Sequence, residues 1–164
     1  MFDNCGNKIA DRFSTFGELL RYRSFTQSDI QAFTFLLDGE DVKATLTYQQ
    51  LDRQARAIAS QLQAKGATGD RALLLYPPGI DYLAAFFGCL YAGVVAVPAY
   101  PPRNQRNTPR IKAIVADAQA QIALTTTAIC STVQLLIDSD SLEWLTTDNL
   151  EPGVEDAWQP PCID

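Results

Sequence analysis

The sequence predicts an α/β protein with a largely parallel sheet, helices on both faces and an antiparallel hairpin near the N-terminus. Three observations carry that expectation. From Thr47 onward, helix-like and strand-like runs alternate. The runs "RALLLY", "VVAV" and "QIALTT" hold apolar residues at consecutive positions, the pattern of parallel strands covered on both sides. Between Ile80 and Ala92 the chain is apolar all round, as a buried helix is.

Each element has its own local cause. After a cap at Ser14 or Thr15, "TFGELLRYRSF" puts Phe16, Leu19, Leu20 and Arg23 on one side of a short helix ending near Thr26. The runs "QAFTFLLD" and "VKATLT", joined by "DGED", read as an antiparallel hairpin or meander. At "TYQQ" the Thr47 hydroxyl can accept from the Gln50 backbone while the Gln50 side chain reaches back, a capping box that starts a helix. Leu51, Ala55, Ile58, Ala59 and Leu62 form its apolar stripe; Asp52, Arg53, Arg56, Gln61 and Lys65 fall largely outside it, and Gly66 ends it. The stripe is read as core packing and given no function.

Strand "RALLLY", the apolar helix and strand "VVAV" then make a βαβ unit, which "PRIKAIVADAQA" and "QIALTT" repeat. Helix "TAICSTVQLLID" and the apolar stretch "LEWLTT" follow. The tail "DNLEPGVEDAWQPPCID" is acidic, contains prolines and has no periodicity, so it reads as a connector. The division is residues 1–147 as the α/β domain and 148–164 as connector.

Composition excludes several function classes. With 164 residues, 47% hydrophobic and 20% charged, the chain is one domain's worth of globular protein rather than a disordered one. A net charge of −6 argues against a nucleic-acid partner, while leaving room for local basic clusters. The opening "MFDNCGNKIADRF" is too charged for a signal peptide or membrane anchor, and Asp81, Gly88 and Gly93 interrupt the most apolar run, so no membrane span and a cytoplasmic location are expected. Cys5, Cys89, Cys130 and Cys162 lack C-x-x-C spacing, and the chain has no histidine, which removes the common zinc sites and a Ser-His-Asp or Cys-His apparatus from these residues.

The stretch "VPAYPPRNQR" poses the functional question. Pro98, Pro101 and Pro102 fix φ and remove backbone donors, so the strand is expected to leave the sheet there by a rigid corner, with Val94 to Val97 a central buried strand. Ligand-facing loops of α/β proteins lie at such strand ends. Other candidates have plainer explanations. Asp81, Asp117 and Asp138 read as solvated or helix-end charges, Thr125, Thr126 and Thr127 as a strand end plus helix cap, and "YPPG" at Tyr76 to Gly79 as a structural turn.

"LTYQQLDRQARAIASQLQAKG", "DRALLLYPPGIDYLAAFFGCLYAG" and above all "VVAVPAYPP" resemble the amino-terminal part of the fatty acyl-AMP ligases, a branch of the adenylate-forming superfamily. The likeness runs from about Phe13 to Pro161. It implies the partial amino-terminal domain of an enzyme that uses ATP and Mg²⁺ to convert a fatty acid to its acyl-adenylate, then passes the acyl group to an acyl carrier protein. The phosphate loop, adenosine-binding aspartate and late lysine of such enzymes have no counterpart in this stretch. The resemblance therefore implies no catalytic, ATP-binding or metal-binding residue here, and an inactive segment, whether a truncated product or an excised region. Tyr100, Pro101, Pro102 and Arg103 remain as acceptor-side candidates, because the corresponding loop of acyl-CoA synthetases borders the coenzyme nucleotide. A fragment of a fatty acyl-CoA synthetase, or a non-catalytic domain that binds a carrier protein or another subunit, stays open beside this reading.

Overall fold

A computed structural model describes residues 13–37, 39, 41–137 and 142–161. The candidate Asp138 and the thiols of Cys5 and Cys162 lie outside them.

The chain opens with α1 (Phe16–Thr26), whose cap is Thr15, its side chain accepting from the Glu18 N–H at 3.1 Å. The hairpin β1 (Gln31–Leu37) and β2 (Asp41–Thr47) is antiparallel, with a register shift between Phe35 and Leu36. Helix α2 (Tyr48–Ala64) begins at the expected capping box: Thr47 Oγ1 accepts from the Gln50 N–H at 3.2 Å, and Gln50 Oε1 accepts from the Thr47 N–H at 2.9 Å. It ends where Gly66 takes φ +71°, a left-handed conformation that favours glycine. The five stripe residues of α2 are all buried, and each fully buried leucine or isoleucine contributes about 1.5–3 kcal/mol.

Then follow β3 (Arg71–Leu75), α3 (Ile80–Ala92), β4 (Val95–Ala99), α4 (Thr108–Ala118), β5 (Ile122–Thr125), α5 (Thr127–Ile137) and β6 (Glu143–Thr146). Strands β4-β3-β5-β6 form one sheet in that order, every neighbouring pair parallel. Because side chains alternate across a strand, β3 sends Ala72 and Leu74 into a core shared with α2 and α3, and Leu73 and Leu75 into one shared with α4 and α5. At β3 and β5 both faces are covered, as the consecutive apolar residues foretold, whereas β4 is only partly covered.

Four expectations are corrected. Among the described residues strand β4 lies at an edge of the sheet rather than at its centre, and Val95 is 54% exposed. The ladder also runs on through Pro98, which pairs with Leu74, and stops only after Ala99; an edge position tolerates a residue without an N–H. Phe16, placed on the inner side of α1, is 70% exposed, since α1 meets its neighbours through Leu20 and Ser24.

The fourth correction concerns Asp52, which is 3% exposed although it flanks the apolar stripe of α2. Its carboxylate accepts from Arg21 Nη1 at 3.0 and 3.1 Å, from Arg56 Nε at 3.0 Å and from the Tyr91 hydroxyl at 2.9 Å. This network ties α1, α2 and α3 together.

The tail lies along the same helices. A short 3-10 turn at Val154–Ala157 puts Glu155 against Arg53 at 2.6 Å, and Arg56 Nη1 donates to the Glu155 carbonyl at 3.2 Å. Trp158 stacks on Tyr91 with ring centroids 5.1 Å apart and donates its Nε1–H to the Tyr91 carbonyl at 2.8 Å. The Arg21 guanidinium lies 5.3 Å from the Trp158 ring, and Gln63 exchanges two hydrogen bonds with the Gln159 backbone. No helix among the described residues is long and apolar enough to cross a membrane.

Candidate functional site

Four parallel strands send their carboxyl ends to one edge of the sheet, and the loops that leave them gather there. After β3 comes Tyr76-Pro77-Pro78-Gly79, after β4 Tyr100 to Asn104, after β5 Thr126, and after β6 Thr147 and Asp148. This is where open α/β sheets form ligand crevices.

The four acceptor-side candidates stand together in the β4 loop. Pro102 is buried and anchors the corner, whereas Tyr100 is 44% exposed and Arg103 is exposed. Arg103 Nη2 donates to the Tyr100 hydroxyl at 3.1 Å and its guanidinium lies 5.3 Å from the ring. That hydrogen bond holds the Arg103 pKa above its ordinary value, so the group is a permanent cation. From the first turn of α4, Arg110 Nη2 donates to the Tyr100 carbonyl at 2.9 Å. Tyr100 is thus gripped at both its side chain and its backbone. Sequence reasoning missed Arg110, which reads as an ordinary surface position of a helix.

Tyr100 also forms one wall of a groove of about 230 Å³, completed by Tyr76, Pro77, Pro78, Tyr82 and Pro98. Its lining is aromatic and proline-rich because two proline corners, after β3 and after β4, face each other across neighbouring strands. The "YPPG" turn therefore contributes to the groove as well as turning the chain. The Tyr76 hydroxyl shares a hydrogen bond of 2.8 Å with Thr147 Oγ1, and burial pushes its pKa up, so it is a neutral phenol.

The remaining candidates have structural partners. Thr125 donates to the Leu75 carbonyl at 2.8 Å, joining two strand ends. At the start of α5, the Thr127 N–H and hydroxyl both donate to Asp148 Oδ1, at 2.8 and 2.9 Å, and Thr126 supplies the carbonyl for Cys130. Asp148, another residue the sequence did not single out, places a negative charge at the positive end of α5. Asp81 lies in the first turn of α3 and lines a different hollow, of about 400 Å³, with Arg53, Thr147, Asp148 and Glu155. Asp117 is exposed on α4. Among the described residues no group of His, Cys, Asp or Glu is arranged to hold a metal ion.

Comparison with known proteins gives this edge a context. Residues 21–160 match the sequence profile of the AMP-binding enzymes. The chain is 44% identical over 160 residues to the medium-chain-fatty-acid–[acyl-carrier-protein] ligase JamA of Moorena producens, covering 93% of this chain and 27% of that protein. It is 35% identical over 140 residues to the putative fatty-acid–CoA ligase FadD21 of Mycobacterium tuberculosis, covering 84% of this chain and 23% of the other. The crystal structure of the fatty acyl-adenylate ligase from L. pneumophila, in complex with acyl adenylate and pyrophosphate, superposes with a TM-score of 0.85 at 33% identity over 96% of this chain and 27% of its own. The chain therefore spans about a quarter of the length of these relatives. In sequence and in fold the likeness to the amino-terminal part of the fatty acyl-AMP ligases holds, and the chain belongs to the AMP-binding enzyme family.

Proposed function

We propose that this chain is part of a cytoplasmic ligase that activates a fatty acid with ATP and delivers the acyl group to an acyl carrier protein. In the first step a carboxylate oxygen bonds to the α-phosphorus of ATP and the bond to pyrophosphate breaks, leaving acyl-AMP. In the second the carrier's thiolate bonds to the acyl carbon, and AMP departs with the electron pair of the anhydride bond. Mg²⁺ neutralises charge on the phosphates in such chemistry. The glycines of the sequence are scattered, and among the described residues no acidic group is arranged for a cation. Nucleotide and metal are assigned to the rest of the ligase, and these 164 residues alone are expected to catalyse no carboxylate-dependent ATP–pyrophosphate exchange.

The acceptor half of the reading rests on the braced corner after β4. Pro101 and Pro102 limit what the loop can adopt, and Arg103 and Arg110 hold Tyr100 from two sides. A wall this stiff disfavours the bulky nucleotide of coenzyme A, while a slender pantetheine arm brought by a protein can pass beside it. JamA, whose name gives an acyl carrier protein as acceptor, supports that choice over coenzyme A.

The test uses the full-length ligase with Pro101→Gly, Pro102→Gly and Arg103→Ala. Acyl-adenylate formation should stay near wild type while thiol transfer changes in rate or in its preference for carrier over coenzyme A. A parallel fall of both half-reactions with the amount of folded protein would make the corner structural only.

A further inference from the structure

Three of the four strand ends at the candidate site are laced to one another by hydrogen bonds. Thr125, at the end of β5, gives its hydroxyl to the Leu75 carbonyl of β3 at 2.8 Å. The Thr147 N–H, just past β6, donates to the Thr125 carbonyl at 3.0 Å. The lacing closes between side chains, where Thr147 Oγ1 and the Tyr76 hydroxyl share a hydrogen bond of 2.8 Å. Strand β5 lies between β3 and β6, so this last bond joins two strands that share no ladder.

The anchor itself is fixed. Asp148 Oδ1, one residue after Thr147, accepts from the N–H and the hydroxyl of Thr127 and pins the loop after β6 to the start of α5. Tyr76, at the other end of the bond, lines the groove that it shares with Tyr82, Pro98 and Tyr100. Leu75 pairs with Ala99 in the ladder, so Tyr76 and Tyr100 follow side by side as the chain leaves β3 and β4. Arg103 and Arg110 brace Tyr100, and Thr147 braces Tyr76. Tyr76 is only 4% exposed, so without Thr147 its hydroxyl would be a buried polar group in need of a new partner. The open space that the ring adjoins is the groove.

We infer that Thr147 is a positioning residue of the acceptor groove: by holding the Tyr76 hydroxyl it fixes the angle of that ring, and with it the width the groove offers to the acceptor's thiol-bearing arm. The inference rests on the proposed ligase function. It adds a determinant of acceptor binding that lies on a different strand end from the proline corner and that acts through a ring rather than by touching the acceptor.

The test uses the full-length ligase and its two half-reactions, acyl-adenylate formation read by pyrophosphate release and thioester formation on the holo carrier protein. Thr147→Val should raise the KM for the carrier about fivefold or more, while kcat of transfer and the rate of adenylate formation change by less than about twofold, because the ring is displaced and the reacting groups are not. Thr147→Ser keeps the hydroxyl and should restore the wild-type KM. Tyr76→Phe combined with Thr147→Val leaves no hydroxyl unmet and should recover part of the loss, a non-additive result that simple loss of contacts does not give. Pantetheine offered as a free thiol should show the same rise in KM, since the effect is on the arm. An unchanged KM in Thr147→Val, no rescue by serine, or a fall of both half-reactions with the amount of folded protein would each overturn the inference. These outcomes are separable from the ligase reading, which fails only if the wild-type enzyme makes no acyl-adenylate or passes no acyl group to the carrier.

Discussion

The Tyr91 hydroxyl donates to Asp52 Oδ1 at 2.9 Å, joining α3 to a carboxylate that α1 and α2 also grip through Arg21 and Arg56. Burial, first, and the Asp52 charge, second, push the Tyr91 pKa up, so the phenol stays a donor throughout the working pH range. Removing one member of a buried charge network strands the others. Asp52→Ala is therefore expected to destabilise the chain by about 3–5 kcal/mol, and Tyr91→Phe by only about 1 kcal/mol, since two guanidinium groups still face the carboxylate. Urea midpoints provide the comparison; equal losses for the two variants would count against the network.

Helices α2 and α3 touch where Gly88 lies. A Cβ built there would sit 2.6 Å from Ile58 Cγ2 and 2.7 Å from Ile58 Cβ. Gly88→Ala is expected to cost about 1–3 kcal/mol through overpacking, despite the better helix propensity of alanine. Adding Ile58→Ala removes Cγ2 but keeps Cβ, so the double variant should lose somewhat less than the sum of the single losses, with part of the clash remaining. Strict additivity would mean that the helices simply move apart.

Acid should loosen the tail before it unfolds the sheet. The Glu155 carboxyl is held below its ordinary value of 4.5 by its own backbone N–H first, and also by Arg53 and the Gly153 N–H. A depressed folded value means that the contribution is complete above pH 4.5 or so and is lost as the pH falls through the folded value. In a Trp144→Phe background, Trp158 fluorescence should shift in the wild type as the pH falls below the ordinary carboxyl value. Glu155→Gln should flatten that shift; an unchanged profile would remove Glu155 from the account.

Two of the thiols should differ sharply in reactivity. Cys89 is fully buried in α3 and burial pushes it up to about 12, whereas Cys130 on α5 is half-buried, with a smaller rise from the same cause. Brief iodoacetamide treatment at pH 8 should label Cys130 first and leave Cys89 unmodified until denaturant is added, as peptide mass mapping would show. Equal labelling in the native state would mean that α3 opens readily.

The sequence was readable where its causes are local. Thr47 and Gln50 stand three residues apart and announce the start of α2; the all-apolar run announces α3 to the residue, Ile80–Ala92. What was not readable depends on partners far along the chain. Asp52 looks like a flank residue of an amphipathic helix, because the groups that bury it come from 31 and 39 residues away. The edge position of β4 follows from strand order, which the apolarity of "VVAV" does not encode. At the candidate site, the corner was legible from Pro101 and Pro102, while Pro98 misled by sitting inside the edge strand, and the grip of Arg110 on Tyr100 was not legible: helix phase does not say which loop a side chain reaches. The tail showed no periodicity because it packs through single contacts, Glu155, Trp158 and Gln159, rather than through a repeating face.

The stacking of Trp158 on Tyr91 acquires another meaning while the chain is being made. A ribosome releases α1, α2 and α3 first, and domains begin to fold during synthesis. Arg21, Asp52, Arg56 and Tyr91 can therefore assemble early, but the indole that covers them comes 67 residues after Tyr91. Until it emerges, the face of Tyr91 on which it stacks has no such cover. Its arrival covers that face, so the tail times the maturation of helices synthesised long before it.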